Sequence, residues 1–447
     1  MSVLEENAVP DSDADVSGVR SRADRLRQVK VVAVFALAAL LLLFFAVDID
    51  DPMVRLLRGE RVTAEDPGLL FDGRRVVWIC FALCLVALVP AALNRLRGGV
   101  LITVAVVVGT AFLAGFVIWN YADQAGTLAI ANPLQGTIKY SVPLVFGALA
   151  GCVCERAGVI NIAIEGQFIF GAFAASILAS LAYSAELGLL GGVLGGVCVA
   201  LLLGVFALRY QVNQVVLGVV LIALATGLTD FLFSQFPDDA DSRKYVSAKI
   251  GLEPVPDAGY PVLSPIASSL GDLPGLLGEL FRIVLDQTLL AYLMYIAVVW
   301  VAFVLFQTRW GLRVRAVGEH PKAADTVGVK VNRTRMTAVL LGGALAGLGG
   351  AFFTVGRDAT YQVDLTAGNG FIALAAVIMG RWHPVYATFA ALFFGLMTQL
   401  KAQLDAVDKI PGELITAMPY LATIIAVAGL VGAVRPPAAD GEPYVKG

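Results

Sequence analysis

Charge is what this 447-residue chain has least of. Only 15% of its residues are Asp, Glu, Lys or Arg, against about 25% in an ordinary soluble domain. A globule in water needs a charged skin, so the deficit argues against a soluble enzyme or a disordered protein. The net charge of -3 gives no attraction for nucleic acid. Histidine occurs only twice, at His320 and His383, which leaves too little for a His/Cys metal centre or a Ser/His/Asp set. No metal or cofactor is expected. The five cysteines, Cys80, Cys84, Cys152, Cys154 and Cys198, all lie in apolar runs. Cys152 and Cys154 have one residue between them, not the two of a zinc or redox pair, and read as packing residues. A G-x-x-x-x-G-K-[ST] loop is also missing, so any energy from ATP must come from another chain.

What is present is apolar sequence, 58% of the chain. It falls into twelve runs, at about 31–47, 76–93, 100–119, 140–154, 159–183, 187–208, 215–236, 289–306, 337–354, 370–379, 385–400 and 414–434. Most have the ~17–25 residues that a helix needs to cross a bilayer. The runs are continuous rather than alternating, which excludes a β-barrel. The predicted fold is an all-α polytopic membrane protein of about 12 transmembrane helices. The fourth and tenth runs are short and suit broken or re-entrant segments. Residues 1–30 are expected to be a polar, disordered tail, with no cleavable secretory signal.

Basic residues set the expected orientation. Arg25, Arg27 and Lys30 put the amino terminus in the cytoplasm. Alternation then places Arg95, Arg97, Arg156, Arg209, the basic 309–335 loop, Arg381 and Arg435 inside. Arg55, Arg58, Arg61, Arg74 and Arg75 fall outside, against the trend. Gly191, Gly192, Gly195 and Gly196, with Gly343 and Gly347, have the G-x-x-x-G spacing of close helix contacts. Packing inside one bundle is favoured over a dimer seam.

Polar residues inside the runs are the next signal, because they are costly there and tend to face a cavity or partner. Asn161 and Glu165 are four apart, predicting one shared helix face. Glu165 reads as a pathway or gating residue, or as a structural carboxylate bonded to a neighbouring helix or backbone. Asn213 and Gln214 would line the same region or act as interfacial caps. The candidate pathway residues are Asn161, Glu165, Asn213, Gln214, Asn369 and Phe371. Between the eighth and ninth runs, Pro321 suits a first helical position and Gly328 a stop. That predicts a helix of about two turns with His320 as its cap. Gly318, Glu319, His320, Pro321, Ala323, Ala324 and Asp325 are its candidate partner-contacting residues. A connector without a partner fits equally.

Three blocks of sequence resemble one family. They are Glu155-Arg156-Ala157-Gly158-Val159-Ile160-Asn161-Ile162 with Glu165-Gly166; Gly311-Leu312-Arg313 through Gly328; and Gly370-Phe371-Ile372-Ala373-Leu374-Ala375-Ala376-Val377-Ile378 with Gly380-Arg381-Trp382. They are similar to permease subunits of ABC importers in the ribose and branched-chain amino acid superfamily, nearest the nucleoside (simple-sugar) branch. The resemblance covers about 128–435. It leaves 31–127 as three extra spans and 436–447 as a cytoplasmic tail. His320 stands where the family usually has Asn, and Gln214 where the branch often has Glu.

The resemblance implies a transport subunit rather than an enzyme, in the bacterial inner membrane with both termini cytoplasmic. Its implied partners are ATP-binding cassette subunits, a second permease that is a related but different chain, a substrate-binding lipoprotein and membrane lipid. The 318–328 segment becomes the coupling helix. The rival expectation is an ion-gradient-driven transporter using Glu165.

Overall fold

The computed structural model describes residues 22–57, 69–96, 98–122, 127–129, 131–182, 184–235, 266, 276–358, 361–404, 417 and 435–445. Two compact units emerge. The first holds α1 (Arg22–Asp48), α2 (Gly73–Ala92) and α3 (Gly98–Tyr121). Strands β1 (Met53–Leu57), β2 (Leu69–Asp72) and β3 (Thr127–Ala129) form a small sheet in the order β2-β1-β3. Asp72 caps α2, its side chain accepting from the Arg75 N–H at 3.1 Å. All three helices pack on one another, and α1 and α3 meet through aromatic rings. Phe45 stacks on Trp119 at 4.6 Å between centroids, and Phe116 lies 5.7 Å from Phe45.

The second unit contains α4 (Ala131–Glu155), α5 (Ile164–Ala182), α6 (Ala185–Leu208) and α7 (Gln214–Ser234). After them come α8 (Leu276–Leu285), α9 (Leu289–Gln307), α10 (Arg309–Glu319), α11 (Pro321–Thr326) and α12 (Val331–Phe353). A π turn (Thr354–Asp358) ends α12, and α13 (Asn369–Met379) and α14 (Pro384–Leu404) follow. Its centre is α12, which packs on α4, α5 and α6, while α14 packs on α4. The approach is close because the contact is made of glycine. A Cβ on Gly196 would run into the Gly343 carbonyl, and one on Gly347 into the Gly192 carbonyl. Lipid offers no hydrophobic drive for helix association, so this tight van der Waals contact supplies it. The two G-x-x-x-G groups therefore face each other within one chain.

Ten helices among the described residues are long and apolar enough to cross a membrane. Several expectations need correction. The fourth run is no broken segment, since α4 is 25 residues long. Its first turns carry Gln135, Thr137 and Lys139, which hid them from a hydropathy reading. The fifth helix starts at Ile164 rather than 159. The tail expected over 1–30 is helical from Arg22 onward; its Ala, Arg, Leu, Gln and Lys residues are good helix formers. The tenth run is a short helix of 11 residues, α13, which at ~1.5 Å per residue cannot cross ~30 Å. The twelfth run, 414–434, lies outside the described residues.

Candidate functional site

Three polar residues of the spans, Asn161, Gln167 and Gln214, make their bonds at the break in the chain between α4 and α5. Residues 156–163 are not helical, so Asn161 and Glu165 do not share a helix face, contrary to expectation. Gly158 turns the chain with a φ of +81°, and a Cβ there would sit 2.8 Å from the Arg335 guanidinium. The break is held by side chains. The Gln214 Oε1 accepts the Ile160 N–H at 2.7 Å, standing in for a missing helical carbonyl. Asn161 and Gln167, both fully buried, exchange amide hydrogen bonds at 3.1 and 3.3 Å. Asn213 is exposed and caps α7, its Oδ1 accepting from the Val215 and Val216 N–H groups at 3.0 and 3.2 Å.

Glu165 lies in the first turn of α5 and is buried. Its carboxylate accepts from the Thr366 hydroxyl at 2.6 Å, the Gly368 N–H at 2.9 Å and the Gly370 N–H at 2.5 Å. Those donors surround the start of α13. A helix N-terminus leaves backbone N–H groups unpaired and carries a partial positive charge. In a membrane interior those groups need a protein acceptor, and Glu165 is one. Gly368 enters α13 with a φ of +77°, and a Cβ on Gly370 would lie 2.6 Å from the Glu165 Oε2. Both positions thus require glycine. The Asn369 side chain donates to the Thr366 carbonyl at 2.7 Å, closing the same turn. Phe371 stands apart from this network, half exposed.

At the end of α4 a second cluster forms. The Trp382 indole N–H donates to the buried Glu155 carboxylate. The Arg156 Nε donates to the Trp382 carbonyl at 3.0 Å. Arg156 and Arg315 both lie over the Phe306 ring, at 5.9 and 5.2 Å, and His383 stacks on it at 4.8 Å. Burial, and then the Arg156 charge, hold the His383 imidazole below its ordinary pKa.

The α10–α11 pair stands at the same end of the second unit. The Thr308 hydroxyl caps α10 by accepting from the Gly311 N–H at 3.1 Å. Pro321 opens α11, His320 precedes it without a side-chain cap bond, and Gly328 turns the chain away at a φ of +86°. Val317 and Ala324 are buried, whereas Glu319, His320, Lys322, Ala323 and Val327 are exposed. A Cβ on Gly318 would strike the Arg156 carbonyl, so α10 ends flush against the break. Asp325 is half-buried.

The six candidate pathway residues do not form one cluster. The structure ties Asn161 to Gln167, Gln214 to the break, and Glu165 to α13 beside Asn369, while Asn213 and Phe371 lie outside those bonds. The sequence reading did not single out Gln167, Thr366 or Gly368, and took Glu155 and Trp382 only as parts of the matching blocks and Arg335 only as a loop charge. Thr366 ahead of Asn369-Gly370 resembles a helix-start signature and was the available signal. Among the described residues no group of three His, Cys, Asp or Glu side chains would hold a metal ion. Cys198 is exposed, while the other four cysteines are buried.

Sequence comparisons add to this geometry. The family profile described as "Branched-chain amino acid transport system / permease component" matches residues 134–433. The "Guanosine ABC transporter permease protein NupQ" of Bacillus subtilis (strain 168) is 37% identical over 337 residues, 73% of this chain and 99% of that protein. The "Nucleoside ABC transporter permease protein NupC" of Lactococcus lactis subsp. cremoris (strain MG1363) is 34% identical over 332 residues, 71% and 99%. The same Lactococcus strain has a more distant relative, "Nucleoside ABC transporter permease protein NupB", 25% identical over 347 residues, 72% and 88%. No solved structure matches the chain significantly.

Proposed function

Because the chain belongs to the branched-chain amino acid transport system / permease component family, we propose that it is the membrane-spanning permease subunit of an ATP-driven ABC importer for nucleosides. The observation that carries the reading is the end-to-end match to NupQ and NupC, whose names specify guanosine and nucleosides. The task of such a subunit is to offer a path whose affinity for solute changes with conformation. It needs no covalent chemistry. ATP is hydrolysed by separate subunits in this reading, and a lipoprotein delivers solute from outside. In this reading the second permease of the complex is a related but different chain, which the presence of two different relatives in one Lactococcus lactis strain supports.

Both termini are cytoplasmic in this reading, following the basic residues, and the membrane is the bacterial inner one. The α10–α11 pair is then the coupling element. Its exposed Glu319, His320, Lys322, Ala323 and Val327 meet the ATPase, while the buried Gly318 and Ala324 transmit its movement into the bundle, with Pro321 and Asp325 shaping α11. The solute path runs beside the α4–α5 break and the start of α13. Asn161, Glu165 and Gln214 hold its walls, Asn213 fixes the entry of α7, and Asn369 and Phe371 offer surface to it. No observation favours an ion-gradient-driven carrier, since the Glu165 carboxylate is committed to three donors.

The test is uptake of labelled guanosine, adenosine, uridine and ribose by cells with and without the gene. The reading expects nucleoside uptake to fall at least tenfold on deletion and to return with the intact gene, with ribose uptake unchanged. Unaltered nucleoside uptake overturns the substrate assignment.

A further inference from the structure

The carboxyl-terminal segment has no role in anything above, yet it is bound in place. Residues 435–445 run across the α4–α5 break and the α10–α11 pair. The Ala439 N–H donates to the Gly318 carbonyl at 2.9 Å, and the Gly441 N–H to the Gly158 carbonyl at 3.3 Å. The Ala438 N–H donates to the Glu319 carboxylate at 3.2 Å. Tyr444 is buried in an apolar cluster with Val317, Ala324 and Val331, its hydroxyl toward the Asp325 carboxylate. One stretch of chain, through its backbone and the Tyr444 side chain, thus touches the end of α10, the buried face of α11, the start of α12 and the turn after α4.

Arg335 ties this together. It is fully buried in the first turns of α12. Its guanidinium donates to the Glu442 carbonyl at 2.7 Å and the Ala439 carbonyl at 3.5 Å. A buried cation is costly unless hydrogen-bonded, and these acceptors belong to the carboxyl-terminal segment. The fit constrains glycine on both sides: a Cβ on Gly158 would lie 2.8 Å from the Ala439 carbonyl, and one on Gly441 would lie 2.7 Å from Ile160, where φ is also +78°.

We propose that residues 437–444 are an intramolecular brace that locks the α10–α11 pair to the α4–α5 break, with Arg335 as its positioning residue. The brace keeps α11 from swinging freely, so that a push on its outer face moves the bundle rather than only the loop. That consequence rests on the coupling role proposed above; the brace itself does not.

The experiment is hydrogen exchange of the assembled complex in lipid nanodiscs, combined with the ratio of ATP hydrolysed to solute imported. Wild type is compared with Tyr444→Ala, Arg335→Lys, Arg335→Ala and a chain stopped after Arg435. Amides of 318–326 are expected to exchange at least tenfold faster in the stopped chain and in Arg335→Ala. A smaller rise is expected for Tyr444→Ala, and partial rescue for Arg335→Lys. Should truncation or Arg335→Ala prevent assembly, Tyr444→Ala carries the test alone. Unchanged exchange at 318–326 in Tyr444→Ala and in every other variant that assembles overturns the brace. Faster exchange with a raised ATP-to-solute ratio supports both the brace and the coupling role. Faster exchange with an unchanged ratio supports the brace and removes the coupling role of α11.

Discussion

The two units of this chain solve the same packing problem by different means. The first, α1–α3, closes through side chains: Phe45, Phe112, Phe116 and Trp119 interlock, and roughly 28% of each helix's most apolar window is buried within the chain. The second closes through backbone. At its centre, glycines of α6 and α12 lie against one another's carbonyls, and the apolar stretches of α4, α5 and α12 are 83%, 72% and 78% buried, while α7 and α9 at its edge are 28% buried like the helices of the first unit. Side-chain contact between rings tolerates repacking, whereas carbonyl against glycine does not. The contrast runs alongside the sequence matches. NupQ and NupC are covered almost end to end, yet over a quarter of this chain, including α1–α3, lies outside the family match.

The largest expected effect separates the two packing modes. Gly196→Val forces a branched side chain onto the Gly343 carbonyl, a backbone atom that cannot move aside. Folded protein in the membrane, measured by fluorescence-detected size exclusion, should fall below a tenth of wild type. Phe116→Leu in the first unit loses its ring contacts but keeps an apolar side chain, and should cost only about 1–2 kcal/mol. Equal yields for the two variants would remove the distinction.

Next is Glu165. Glu165→Ala strands three donors at the start of α13, at about 1–3 kcal/mol for each buried unsatisfied group. Glu165→Gln keeps one acceptor oxygen and should lose less. Thermal melting of the detergent-solubilised complex should rank wild type above Gln above Ala. If Ala melts with wild type, the carboxylate is not supporting α13.

A smaller, pH-dependent effect belongs to the second unit. Burial outweighs the pull of Arg335 and pushes the Asp440 carboxyl up from 3.8 to about 7. The docked segment therefore holds its proton more tightly than the free segment does. Docking is strongest below about pH 4 and weakens as pH rises towards 7. Exchange at 438–442, corrected for its intrinsic pH dependence, should quicken severalfold from pH 5 to pH 8, with α2 amides unchanged. Slowing over that range would reverse the sign.

The smallest effect is expected from removing the first unit. With residues 1–127 deleted, nucleoside uptake per molecule in the membrane should stay within about twofold of the full chain. A loss as large as that of the gene deletion would show that α1–α3 serve transport itself.

The contrast also explains what was legible in the sequence. Long apolar runs announced the spans, because hydropathy and length alone decide whether a segment can cross a bilayer. The failures are local and share a cause. Residues 156–163 are as apolar as a helix, and only Gly158 and side-chain acceptors far along the chain break it. Conversely, the charges of Arg309, Arg313 and Arg315 concealed α10, and Gln135 and Lys139 concealed the start of α4. Asn161 and Glu165 were found, but their partners, Gln167 and the Thr366 turn, were not. Glu165 and Thr366 are 201 residues apart, and no local period records such a pairing. Residues 435–445 carried no motif at all; their partners, among them Gly158, Gly318 and Arg335, lie over 100 residues upstream.

The most direct measurement places this chain in proteoliposomes with the second permease and ATPase subunits proposed for it and supplies the proposed lipoprotein and labelled guanosine. Uptake should require ATP inside the compartment where α10–α11 lie, and should persist when ionophores collapse the proton and sodium gradients. Uptake by this chain alone, driven by an ion gradient and indifferent to ATP, would contradict the account.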